Sequence, residues 1–208
     1  MLKSENNNLR FDLMVIASWI RPNSRVLDLG CGEGELLMFL QTQKQATGSG
    51  IDQKESNVFK CIEKGLSVIQ GDINSEVEDY PDFAFDYVIL SQTLQQVYAP
   101  SELLRSLLRI GKNVIVSFPN FSHWRVRVQL LLTGQAPVTS QLPYEWYNTP
   151  NIRVMTLKDF RNYAKKIGFG IIRQAAIATG READQGKIVR FCPDLMASYG
   201  IFLIGNRK

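Results

Sequence analysis

The chemically informative residues of this chain gather in one string, Val26-Leu27-Asp28-Leu29-Gly30-Cys31-Gly32-Glu33-Gly34. An apolar strand pattern there runs directly into a glycine-rich turn and then into a helix pattern. Glycines permit positive φ and let a ligand approach the backbone, and a helix N-terminus offers free N–H groups. A GxGxxG spacing would point to the pyrophosphate of a dinucleotide. The spacing here is GxGxG, with Asp28 two residues before the first glycine. A glycine-rich turn alone can serve only to pack helix on strand; the aspartate and the flanking strand favour a ligand. Asp52 closes a second strand in Gly50-Ile51-Asp52, about where the acid of a Rossmann unit accepts from ribose hydroxyls. It also suits the cap of the helix that follows, and the two roles can coexist.

Further polar residues stand at strand ends. Gly71-Asp72-Ile73 ends a third strand and also fits a plain turn. Ser91 and Gln92 follow a fourth strand, at the sheet edge where open α/β folds keep their ligands. Ser91 equally suits a helix cap. The single histidine, His123, is the obvious general base, but a surface or loop-start position after Pro119-Asn120 accounts for it better. Tyr144, Trp146 and Tyr147 either wall an acceptor pocket or anchor their proline-rich loop. The sequence carries no Ser/His/Asp set and no metal-ligand cluster.

The elements that must position these residues alternate. Leu9 to Ile20 reads as a helix ended by Pro22. Strands are read at 26–29, 48–51, 67–69, 87–90 and 114–118, and those at 87–90 and 114–118 are short apolar runs, as strands buried on both faces should be. Helices at 36–40, 58–62 and 103–108 separate them, so the pattern predicts a doubly wound α/β fold with a mostly parallel sheet. Residues 133–153, with Pro137, Pro143 and Pro150, break the pattern and are expected to form an ordered loop or lid. Thr156 and Asp159 resemble a capping box for a helix that Gly168 ends. Two last strands, 171–177 and 199–204, are joined by a polar excursion containing Arg181, Glu182, Asp184 and Lys187.

Gross composition narrows the class. With 208 residues and 45% hydrophobic content, one domain over 1–208 is expected. The segment Met1 to Asp12 lacks the apolar stretch of a secretory signal, and no run approaches the roughly 18 apolar residues of a membrane span. A cytoplasmic protein without a membrane partner is expected. Cys31, Cys61 and Cys192 are odd in number and lack CxxC spacing, which fits reduced thiols. The net charge is +4, but the densest basic patch is only Arg125, Arg127 and His123, so nucleic acid is not expected as a partner.

The D-x-G-C-G-x-G string resembles motif I of class I S-adenosylmethionine (SAM)-dependent methyltransferases, where the loop runs beside the methionine part of SAM. By that resemblance Asp28, Gly30, Cys31, Gly32 and Gly34 border the cofactor and Asp52 meets the ribose. Asp72, with Ile73, lies near the adenine amine, and Ser91 lies at the sheet edge. Beyond motif I, RVLDLGCGEG (25–34), VIQGD (68–72), FDYVILSQTLQ (85–95), IVSFPNF (115–121) and LPYEWYNTPNI (142–152) are similar to the MetW family of bacterial methionine biosynthesis proteins. The resemblance implies a Rossmann-like, seven-stranded, mostly parallel sheet with helices on both faces and an antiparallel last strand. SAM or S-adenosylhomocysteine is the implied cofactor, and homoserine O-acyltransferase the implied partner. One departure is Arg153, where the family pattern leads one to expect histidine; arginine stays protonated and is no base at neutral pH. Two readings follow. The chain is a SAM-binding partner or regulator of the acyltransferase, or a methyltransferase acting on a small molecule held under the 133–153 lid.

Overall fold

A computed structural model describes residues 9–139, 142–180 and 184–206. Residues 1–8, Ser140 and Gln141 of the proline-rich segment, and Arg181 and Glu182 of the polar excursion lie outside the described residues.

The chain opens with α1 (Phe11–Trp19) and β1 (Arg25–Leu29), then α2 (Glu35–Lys44), β2 (Thr47–Asp52), α3 (Glu55–Glu63) and β3 (Ser67–Gln70). The short α4 (Ile73–Glu76) leads to β4 (Phe85–Ser91), a 3₁₀ turn (Leu94–Gln96), α5 (Pro100–Ile110) and β5 (Gly111–Pro119). Then come α6 (Trp124–Thr133), α7 (Leu157–Ile167), β6 (Gly170–Thr179), β7 (Gly186–Ile188), α8 (Pro193–Met196) and β8 (Tyr199–Gly205). The sheet order is β3-β2-β1-β4-β5-β8-β6-β7, with β8 antiparallel to both β5 and β6. The strand order reverses between β1 and β4, so their carboxyl ends open a crevice of the kind where doubly wound sheets bind ligands.

Alternation along the strands explains the continuous apolar runs. Leu27, Val88, Leu90, Val114 and Val116 face Leu103, Leu104 and Leu107 of α5 and Phe160 of α7. Their immediate neighbours Val26, Ile89 and Ile115 face Leu13 and Ile16 of α1 and Leu36 and Leu40 of α2. Side chains of a strand point to opposite faces in turn, so a strand covered by helices on both sides must be apolar at every position. The α7 capping box forms as the sequence predicts: Thr156 and Asp159 satisfy one another's N–H groups, and Gly168 ends the helix at φ 93°.

Several elements are additions to the sequence expectation, among them the four-residue helices α4 and α8. The sheet has eight strands, because Gly186–Ile188 adds an edge strand antiparallel to β6 within the polar excursion. Its residues are all exposed, so no hydrophobic alternation announces it. The helix α6 precedes the proline-rich segment and buries only Val126, which leaves it without the apolar stripe by which a sequence reveals a helix. Within 134–155 the described residues form no helix or strand. The segment's far end is tied down: the N–H groups of Ile152 and Arg153 both donate to the Gln95 carbonyl at 3.0 Å, and the Arg153 guanidinium donates to the Tyr98 carbonyl. Among the described residues no helix is long and apolar enough to cross a membrane.

Candidate functional site

The turn after β1 is built on three left-handed glycines, Gly30 (φ 72°), Gly32 (φ 56°) and Gly34 (φ 77°). Two of them are closed in by side chains. A Cβ on Gly30 would lie 2.6 Å from Thr93 Oγ1, and one on Gly34 would lie 2.4 Å from Leu66 Cδ1 and 2.9 Å from Cys61 Sγ. At Gly32 a Cβ would meet nothing within 4 Å. The turn is therefore packed against the fold at its ends and open in the middle. The N–H groups of Gly30 and Cys31 donate to the Ile51 carbonyl at 2.8 and 3.2 Å, which fastens the turn to the end of β2.

Beside the turn lies a cleft of about 310 Å³ whose walls include Arg10, Leu13, Asp28, Gly30, Gly32 and Ser91. Asp28 is 3% exposed. No hydrogen bond from another described residue reaches its carboxylate. Burial, and then the nearby Asp52 carboxylate, push its pKa up to about 7 against the opposing pull of Arg10. Arg10 is held by Asp12, with Nε–Oδ1 at 3.2 Å and Nη2–Oδ2 at 2.9 Å, and Gln92 Nε2 donates to the same Asp12 Oδ2 at 2.6 Å. A guanidinium and a buried carboxylate without a protein partner thus border one cleft, a pair suited to the carboxylate and ammonium of an amino acid.

Asp52 is buried and already engaged. Oδ2 accepts from the Gly32 N–H at 2.8 Å; Oδ1 accepts from the Lys54 N–H at 2.9 Å and from Asn57 Nδ2 at 3.0 Å. A carboxylate offers about four acceptor sites, so roughly one remains for a hydroxyl. Asp52 does not cap α3, whose N-cap is Lys54 without a side-chain cap bond; it braces the loop that enters the helix and leaves room for the ribose role. Asp72 is exposed and caps α4, accepting from the N–H of Asn74 at 2.9 Å, while Ile73 is buried. Ser91 does not cap the following turn; its hydroxyl pairs with that of Ser117 on β5 at 3.0 Å. Burial raises the Cys31 and Cys61 thiols above the ordinary range, and Cys31 also lines the cleft.

His123 is buried rather than on the surface. It caps α6, with Nδ1 accepting from the Arg125 N–H at 3.3 Å, and it borders a different cavity from Asp28. Burial, and then Arg125, lower its pKa. Tyr144, Trp146 and Tyr147 are 48%, 74% and 71% exposed, so they do not anchor their loop. Arg10, Asp12 and Leu13 escape a sequence search because they precede the motif. The signal that finds them is Asp12, a carboxylate set within the otherwise apolar run of α1.

Together, the strand reversal, the glycine turn at the end of β1 and the acid closing β2 define the class I methyltransferase fold. A SAM-dependent methyltransferase from Archaeoglobus fulgidus superposes with a TM-score of 0.68 at 16% identity, covering 94% of this chain and 91% of that one. A possible histamine N-methyltransferase from Thermotoga maritima gives 0.66 at 16% identity, covering 95% and 88%. The [4+2]-cyclase SpnF gives 0.64 at 18% identity, covering 94% and 80%. The family described as methionine biosynthesis protein MetW matches residues 10–204, and the chain belongs to it. The bifunctional methionine biosynthesis protein MetXA/MetW of Rhodopirellula baltica is 36% identical over 163 residues, 74% of this chain and 26% of that protein. The chain therefore spans about a quarter of that relative's length.

Proposed function

We propose that the chain is a cytoplasmic SAM-binding domain that supports or regulates a homoserine O-acyltransferase, with SAM or S-adenosylhomocysteine as its ligand. The observation that carries the ligand is Asp28, a buried carboxylate without a protein hydrogen-bond partner, beside Arg10 and the open face of Gly32. In this reading Arg10 takes the ligand's carboxylate and Asp28 its ammonium. The backbone from Gly30 through Cys31 and Gly32 to Gly34 runs along the methionyl part. Asp52 accepts one ribose hydroxyl, Asp72 and Ile73 flank the adenine, and Ser91 closes the sheet edge. The bound group supplies an electrophilic methyl on a sulfonium; the chain's part is to bind, orient and exclude water.

The fused relative supports the partner. There a homologous domain shares one polypeptide with a unit named MetXA, which holds the two at high effective concentration. The methyltransferase reading draws on Gln95. Its Nε2 donates to the Gln92 carbonyl at 2.7 Å, while its buried Oε1 has no partner among the described residues and would have to be uncovered to meet an acceptor. A fold shared with a cyclase shows that the architecture does not dictate methyl transfer.

The test combines calorimetry with an acyltransferase assay. SAM should bind the wild-type chain, and Asp28→Asn should weaken it about tenfold or more, as expected when a buried charge pair is removed. A homoserine O-acyltransferase from the same cells should turn over faster in the presence of this protein. Absence of binding heat removes the cofactor assignment. An acyltransferase indifferent to the protein removes the partner and turns the search to a methyl acceptor.

A further inference from the structure

A second cavity, of about 420 Å³, lies at the far end of the sheet between the start of α6, the ends of β6 and β7, and α8. Its walls carry Arg125, Lys187 and Arg190. No ion pair joins any of the three to a carboxylate of a described residue, and no carboxylate of a described residue lines the cavity. The neutral groups are donors too. His123 Nδ1 accepts from the Arg125 N–H, so the imidazole proton sits on Nε2. Ser198 is 3% exposed, and its hydroxyl makes no hydrogen bond to another described residue. Trp124 and Phe191 form exposed aromatic walls, and the Arg125 guanidinium lies 5.4 Å from the Trp124 ring centroid.

Three cations, an imidazole N–H and a hydroxyl around one concavity select an anion, and a charge of two suits three cations better than one does. The aromatic walls add a surface on which a flat ring stacks. We propose that this cavity binds a phosphate monoester of a flat aromatic or heteroaromatic body, at a site separate from the glycine-turn cleft. The two cavities share no lining residue, although Phe11, next to Arg10 of the cleft, packs against Gly186, next to Lys187. The inference does not depend on the cofactor assignment.

The sole histidine makes the test local, since its ring C–H resonance is unique in the proton spectrum. Titration with phenyl phosphate, which has no adenine to enter the other cleft, should shift that resonance saturably. Inorganic phosphate should bind roughly fivefold more weakly, the loss expected without ring stacking, and phenol should cause no saturable shift. The combined Arg125→Gln, Lys187→Gln, Arg190→Gln variant substitutes exposed side chains. It should keep its far-UV dichroism and lose about tenfold or more in affinity. Trp124→Ala should bring phenyl phosphate down to the level of inorganic phosphate. Asp28→Asn should leave the titration unchanged. A resonance that never saturates overturns the proposal, as does a shift that survives the triple variant or inorganic phosphate binding as tightly as the ester. Displacement by S-adenosylhomocysteine would place the anion in the other cleft and overturn it equally.

Discussion

Asp28 holds the central tension of the molecule. Its carboxyl is raised from 3.8 to about 7 in the folded chain, chiefly by burial. Between those values the folded chain keeps a proton that the unfolded chain has lost, so this group's contribution to stability falls as pH rises through that window. Asp28→Asn removes the burden, and its melting temperature should exceed that of wild type by a margin that widens from pH 5 to pH 8. On the proposed SAM reading, the ligand needs the opposite. An ammonium beside Asp28 favours the ionised carboxylate, so SAM affinity of the wild type should rise from pH 6 to pH 8, with proton release on binding. Calorimetry in two buffers of different ionisation heat measures that release; a flat affinity profile would separate Asp28 from the ligand. The identity of Asp28 is legible in the sequence because it stands two residues before a glycine turn. Its want of a partner is not, because burial and hydrogen bonding depend on what packs around β1.

At the scale of elements, the three glycines of the turn serve different ends. Gly34→Ala must accommodate a methyl against Leu66 and Cys61 at a positive φ. Strain of about 1–2 kcal/mol and overpacking of about 1–3 kcal/mol should both appear as lost stability in urea unfolding. Gly32→Ala meets only the strain, about 1–2 kcal/mol, yet its methyl enters the open side and should cost the ligand more than it costs the fold. Equal loss of stability in the two variants would contradict this division. The βα alternation was most legible at β4 and β5, whose centres are buried on both faces and so apolar, whereas β3 at the sheet edge is largely exposed. Of the elements that were hidden, β7 and α6 were so for opposite reasons. The strand Gly186–Ile188 is entirely exposed and exists because the last turn of β6 offers it a free edge; α6 leaves Trp124, Leu130, Leu131 and Leu132 exposed, so its periodicity carries no core-facing stripe.

At the scale of the whole molecule, the glycine-turn cleft is joined to the proline-rich segment by an unbroken series of contacts. Arg10 at the cleft is paired with Asp12, Asp12 accepts from Gln92, and the Gln92 carbonyl accepts from Gln95. The Gln95 carbonyl in turn takes the N–H groups of Ile152 and Arg153. Arg153, which stands where a histidine base was expected, is thus a tether of that segment. Contiguity alone does not establish coupling; a ligand regulates a partner only by binding its two states with different affinity. On the regulator reading, Gln95→Ala cuts the series at a side chain that does not line the cleft. It should leave SAM affinity within about twofold while reducing the SAM-dependent change in acyltransferase rate by about fivefold, a coupling of roughly 1 kcal/mol. An unchanged response would show that the signal does not pass through Gln95.

The sequence by itself determined the doubly wound architecture, the glycine turn and the acid at the end of β2, because these follow from local periodicity and from backbone conformations that few residues can adopt. Tertiary structure decided the rest. It brought Arg10 and Asp12 to the turn from an element that precedes the motif, moved His123 to another cavity, and gathered Arg125, Lys187 and Arg190 around that cavity from segments about sixty residues apart. Proximity of this kind is set by which faces bury against the sheet, and no pattern of neighbours along the chain encodes it.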